Sequence, residues 1–154
     1  MSRPPPPEKS EKERAAEVRA VYAEWEARPL ERWCEGRAQC CCFGITGRTP
    51  YLTRGEALVA ALAWKAAGRK DLPERPDGSC PFLEATRCRI YAARPFGCRT
   101  HFCEAAGGPA PRPQVRDLIH RLEDIDRRLG GNGGVNLPAA VRQALEAANR
   151  KGRR

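Results

Sequence analysis

Thiols are the side chains of this sequence best suited to chemistry, and they fall in two groups. The stretch CPFLEATRCRIYAARPFGCRTHFC carries Cys80, Cys88, Cys98 and Cys103, while upstream Cys34 is followed by the consecutive Cys40, Cys41 and Cys42. Together these are all eight cysteines of the chain. Deprotonated cysteine is a soft ligand that selects zinc and iron-sulfur clusters. Four thiolates close a tetrahedral zinc site or one cubane cluster, so eight fit two centres, or one centre with thiols to spare. Neighbouring side chains diverge along most backbones. Two of Cys40, Cys41 and Cys42 are therefore expected to bind and the third to be buried or uncoordinated. The paired C-x2-C knuckles of zinc fingers and ribbons are missing. Five residues separate Cys34 from Cys40, and seven, nine and four separate successive members of the second group. That irregularity leaves an iron-sulfur cluster or an unusual zinc site. His101, between Cys98 and Cys103, is an alternative imidazole ligand; His120 stands among polar neighbours on a periodic helix and is a weaker one. Arg87, Arg89, Arg94 and Arg99 interleave the second group, either offsetting the negative charge of a four-thiolate site or solvating a loop.

The rest of the chain must position these thiols. With 154 residues there is room for one hydrophobic core. The expected class is mainly α: a small single domain of three to four helices packed around an irregular, loop-built cysteine metal site. Residues 1–10 open with four consecutive prolines and read as an extended, disordered arm, residues 11–150 as the metal-binding domain, and residues 151–154 as a basic tail. Ser10 and Glu13 have capping-box spacing ahead of Val18, Val21, Tyr22 and Trp25, predicting a helix over about 11–28. Thr53 and Glu56 repeat the box, predicting a helix to about Lys70 that Gly68 can end early, with Leu58, Val59, Leu62 and Ala66 facing inward. The cleanest periodicity is Val115, Leu118, Ile119, Leu122, Ile125 and Leu129, closed by Gly130. Asn136 caps a last helix with Pro138 in its first turn and Val141, Leu145 and Ala148 on one face. No segment alternates long enough to predict a sheet, and TRCRIY is the best candidate strand.

Within the second cysteine group the residues resemble a known family. Cys80-Pro81-Phe82-Leu83, Cys88-Arg89-Ile90-Tyr91, Arg94-Pro95 and Cys98-Arg99, in that order and at fitting gaps, are similar to the signature of the YkgJ-type cysteine-cluster proteins, described as zinc- or iron-chelating. Their upstream cluster ends in a cysteine pair, followed by a polar loop and a helix that often begins near Thr-x-x-Glu; Cys41-Cys42 or Cys40-Cys41 and Thr53 to Glu56 look similar. The resemblance spans residues 34–103 and implies that Cys80, Cys88 and Cys98 are ligands together with some of Cys34, Cys40, Cys41 and Cys42. The upstream spacing departs from the family's C-x2-C-x2-C-C, and Cys103 lies outside the signature, so the fourth ligand stays open.

Composition narrows the function. No charged leader with an apolar run and no membrane-length apolar stretch is present in the sequence, which predicts a soluble, cytoplasmic protein without a membrane partner. In a reducing compartment dense cysteine points to metal rather than to disulfides. The formal net charge is +9, yet the first 33 residues balance seven basic against seven acidic groups and the excess is spread over the remainder. Dispersed charge and few aromatic residues argue against a nucleic-acid partner, leaving a basic adaptor with a structural zinc as an alternative. No glycine-rich nucleotide loop or triad is present, so an enzymatic role would have to run through the metal. Such a role, as a metal-dependent enzyme or an accessory of a protein-modifying enzyme, is a second alternative, since related cysteine clusters occur in a flagellin lysine methylase. The leading expectation is a metal-binding protein with an iron-sulfur cluster or Zn2+ and a redox or metal-handling role.

Overall fold

Two capping boxes open the first two long helices. Helix α1 (Glu11–Ala27) starts where the Ser10 hydroxyl accepts the Glu13 N–H at 3.2 Å and the Glu13 carboxylate reaches back to the Ser10 N–H at 3.4 Å. Strand β1 (Tyr51–Leu52) runs directly into Thr53, which with Glu56 repeats the box at the head of α2 (Arg54–Ala66). The computed structural model describes residues 9–28, 49–85, 87–100 and 110–151. Helix α2 stops short of Lys70, at Ala67, because Gly68 takes φ 83°, a left-handed conformation that glycine adopts without strain.

After α2 come β2 (Leu83–Glu84), β3 (Arg87–Cys88), a 3-10 turn at Tyr91–Ala93 and the short α3 (Phe96–Thr100). Helix α4 (Arg112–Arg128) has Pro113 in its first turn and ends at Leu129 ahead of Gly130, at φ 82°. Strand β4 (Val135–Asn136) then leads into α5 (Leu137–Lys151), where the Asn136 side chain accepts the Ala139 N–H at 3.1 Å. The fold is thus a mainly helical small domain. Its β structure, among the described residues, consists of two-residue antiparallel pairs: β1 with β4, Tyr51 opposite Asn136, and β2 with β3, Leu83 opposite Cys88. Among the described residues of TRCRIY, Arg87–Cys88 forms the strand β3, and the 3-10 turn at Tyr91 ends the run.

Helix α2 is the centre of the molecule. On one side α1 and α4 close over it through Ala15, Val18, Val21, Tyr22, Trp25, Val59, Val115, Leu118, Leu122 and Ile125. On the other, Ala57, Ala60, Ala61 and Trp64 meet Leu137, Val141 and Leu145 of α5 together with Phe82 and Ile90. A helix buried on two sides does not keep a single apolar stripe. That is why Ala66, expected to face inward, is exposed at the end of the helix, while Trp64 and Ala60 are buried. Gly55 permits the closest approach: a Cβ there would stand 2.7 Å from Val18 Cγ2 and 3.0 Å from Ile125 Cγ2. Each fully buried Val or Leu contributes about 1.5–3 kcal/mol. The ion pairs that join the C-terminal half of α1 and its cap to α4, Arg28–Asp117 and Arg121–Glu24, have solvent-exposed carboxylates and are screened by water and salt. The apolar interior, not the surface charge, holds these helices together. Among the described residues no helix is long and apolar enough to cross a membrane.

Candidate metal centre

The second cysteine group is laid over this frame by a chain tied down at nearly every step. The Trp64 indole N–H donates to the Asp71 carbonyl at 3.1 Å, fixing the connector that leaves α2. Asp77 accepts the Ser79 N–H at 3.0 Å and its hydroxyl at 2.7 Å, with Gly78 at φ 77° in the turn. Cys80 follows, and its carbonyl receives the Leu83 N–H at 3.0 Å. Arg75 donates to the Leu83 carbonyl at 2.6 Å, and Arg89 N–H to the Phe82 carbonyl at 2.8 Å, so both ends of the hairpin are held. Phe82 packs edge-on against Trp64 with ring centroids 5.4 Å apart, which seats the hairpin on α2.

Cys80, 4% exposed, belongs to the apolar cluster of Phe82, Ile90 and Trp64. Cys88, half-buried on β3, packs against that same cluster. Cys98 is half-buried in the first turn of α3, its N–H donating to the Pro95 carbonyl at 3.0 Å. Cys34, Cys40, Cys41, Cys42, Cys103 and His101 lie outside the described residues. Among the described residues no three side chains of His, Cys, Asp or Glu converge as a group able to hold a metal ion. Cys80, Cys88 and Cys98 therefore do not make a site by themselves. Their donor chemistry is that of soft-metal ligands. His120 is exposed on α4, lining a groove with Glu17 and Arg128 of the α1–α4 face.

The arginines of this segment divide by role. Arg87 and Arg89 are exposed, Arg89 near Glu84 at 3.7 Å. Arg94 covers the Tyr91 ring at 3.8 Å and donates to the Tyr91 carbonyl at 3.0 Å. Arg99 is buried: it donates to the carbonyls of Arg94 at 2.7 Å and Ala92 at 2.6 Å and to the Glu26 carboxylate at 2.8 Å, with its guanidinium 4.2 Å from the centre of the Tyr22 ring. Arg99 thus braces the loop that precedes Cys98 rather than solvating it.

Glu56 is the other residue whose role exceeds its sequence signal. Only 3% exposed, its carboxyl accepts the Thr53 N–H at 3.0 Å through one oxygen, and the Phe96 N–H at 2.7 Å and the Tyr22 hydroxyl at 3.3 Å through the other. Burial pushes its pKa up against the hydrogen bonds it accepts. Burial also raises the Tyr22 phenol well above its usual range, reinforced by Glu56 and opposed by Arg99. The capping-box spacing revealed Glu56; nothing local could reveal that Tyr22 and Phe96 would share its outer oxygen. Compared with known proteins, the chain matches no family model, no curated protein and no solved structure.

Proposed function

We propose that this is a cytoplasmic metal-binding protein in which Cys80, Cys88 and Cys98 supply thiolates to an iron-sulfur cluster or Zn2+, completed from Cys34, Cys40, Cys41, Cys42 and Cys103. The observation that carries the reading is the treatment of three soft ligands within one short segment. Two of them, Cys80 and Cys88, border a single apolar cluster, and the third rides on a helix pinned to α1 and α2. Rigid, partly dry surroundings are what a thiolate site needs to hold its geometry and limit solvent access. The resemblance of residues 34–103 to the YkgJ-type cysteine clusters supports the same ligand class. A cluster would supply electron transfer, whereas zinc would supply structure or a binding surface.

Anaerobic purification, an ultraviolet-visible spectrum and metal analysis by mass spectrometry, on the native chain and on Cys88→Ser, test this directly. Iron with sulfide and a brown colour lost in the variant establishes an iron-sulfur centre. A colourless protein with stoichiometric zinc, depleted in the variant, establishes a zinc site. Neither metal, with all eight thiols titrating as free or paired to one another, defeats the reading.

A further inference from the structure

Cys98 is placed by a brace that reaches it from both directions along the chain. Two residues before it, the Phe96 N–H is held by Glu56 of α2 at 2.7 Å, and the Phe96 ring meets Trp25 of α1 edge-on with centroids 5.8 Å apart. One residue after it, Arg99 grips two carbonyls of the preceding loop, at Ala92 and Arg94, and the Glu26 carboxylate of α1. The two arms meet in Tyr22, whose hydroxyl donates to Glu56 and whose ring lies under the Arg99 guanidinium. The five described residues of α3 are too few to hold themselves in place through their own hydrogen bonds, since isolated helices need roughly 12–15 residues to be even marginally stable. The orientation of α3 is therefore imposed from outside, by these contacts. Arg99 makes three of them, all with a planar fork that a lysine point charge cannot reproduce.

Resting on the metal-binding reading above, we infer that Arg99 is a positioning residue of the cysteine site: through the carbonyls of Ala92 and Arg94 and the carboxylate of Glu26 it sets where Cys98 stands relative to Cys88. The chain between these cysteines, from Arg89 to Gly97, contains the 3-10 turn and Pro95 and carries no regular ladder of its own. The Arg99 fork is what converts that connector into a spacer of fixed length. Loosening it lets Cys98 drift while Cys80 and Cys88 stay seated on their apolar cluster.

The test uses the purified full chain as isolated, with its metal, and compares the native protein with Arg99→Lys. Metal content per chain, the absorption spectrum and the rate of metal release to a chromogenic chelator are read at a temperature well below the melting transition. Far-ultraviolet dichroism monitors the fold. The expected result is a folded Arg99→Lys protein that releases its metal at least tenfold faster and shows a shifted thiolate-to-metal absorption. A folded variant with native release rate and spectrum, even at a lowered melting temperature, overturns the inference and confines Arg99 to stability. Should Arg99→Lys fail to fold, Glu26→Ala decides in its place, because it removes the partly exposed α1 acceptor of the Arg99 fork, with the longer Arg94 ion pair to the same carboxylate, and leaves the two carbonyl contacts in place. Release accelerated two- to fivefold supports the inference, and unchanged release overturns it. A native protein that carries no metal in the first place defeats the metal-binding reading itself, and this inference falls with it.

Discussion

The Asp126 carboxylate of α4 accepts the backbone N–H of Arg54, the first residue of α2, at 2.7 Å across 72 residues of sequence. Its other oxygen accepts the Gly133 N–H at 2.9 Å, and the carboxylate is 2% exposed. One buried side chain therefore satisfies a donor at the head of the central helix and fixes the loop between α4 and β4. The placement also suits the positive end of the α2 dipole.

Replacing Asp126 by Ala leaves the Arg54 and Gly133 N–H groups without an acceptor in a part-buried site. Loss of a helix cap costs about 0.5–2 kcal/mol and each buried unsatisfied group about 1–3 kcal/mol. Asp126→Ala is expected to lower unfolding stability by about 2–4 kcal/mol, read from urea denaturation. A change below about 0.5 kcal/mol would mean that water takes over both donors. Gly131 supports the same geometry, since a Cβ there would overlap the Asp126 carboxylate.

Gly55 gives a second prediction, in which packing and helix propensity oppose each other. Alanine is favoured over glycine within a helix by up to about 1 kcal/mol. Here its methyl would press on the buried Val18 and Ile125, where α1 and α4 meet α2, and overpacking costs about 1–3 kcal/mol. Gly55→Ala is expected to destabilise on balance. Combined with Val18→Ala, the added methyl enters the space vacated by valine, so the double variant should lose less than the two single losses together. Strict additivity in thermal unfolding would exclude the contact as the cause.

Glu56 sets a pH dependence of known sign. Burial raises its pKa in the folded protein above the unfolded value of about 4.3, so the folded chain holds the proton to higher pH than the unfolded one. The stability this group contributes is fully present below the unfolded value and is lost as pH rises through the folded one. Glu56→Gln cannot titrate. Denaturation of both proteins from about pH 4 to pH 8 should show the native chain losing stability relative to the Gln variant as pH rises. Parallel curves would show that Glu56 has the same pKa folded and unfolded.

Local signals in the sequence located the long helices because their ends are written in neighbouring residues. Ser10 with Glu13, Thr53 with Glu56, Gly130 and Asn136 each act within a few positions of themselves, and the structure uses each as the spacing predicts. Tertiary partners were not legible in the same way. Asp126 caps a helix that begins 72 residues earlier, and Arg99 reaches Glu26 from 73 residues away, so neither has a spacing to recognise. Two-residue strands such as β1 and β4 carry too short an alternation to stand out, and they exist because the ends of α2 and α5 bring them side by side. For the cysteines, residue type alone raises the expectation of a soft-metal ligand set. Which of them share an apolar cluster depends on the hairpin and on Trp64, which lies far from them in sequence.

Cys80 separates a packing role from a ligand role. Its side chain is buried among Phe82, Ile90 and Trp64, where cysteine behaves as a small hydrophobe, and removing its sulfur costs about 1 kcal/mol of burial whatever else it does. Phe82→Leu disturbs the same cluster without touching a thiol, at a cost of about 1–2 kcal/mol. If Cys80 is a ligand, Cys80→Ala loses bound metal as well as stability, while Phe82→Leu loses stability and keeps its metal. Metal analysis and thermal unfolding of the two variants side by side read both quantities. Full metal occupancy in Cys80→Ala would assign Cys80 to the core alone and leave Cys88 and Cys98 to be completed by cysteines outside this cluster.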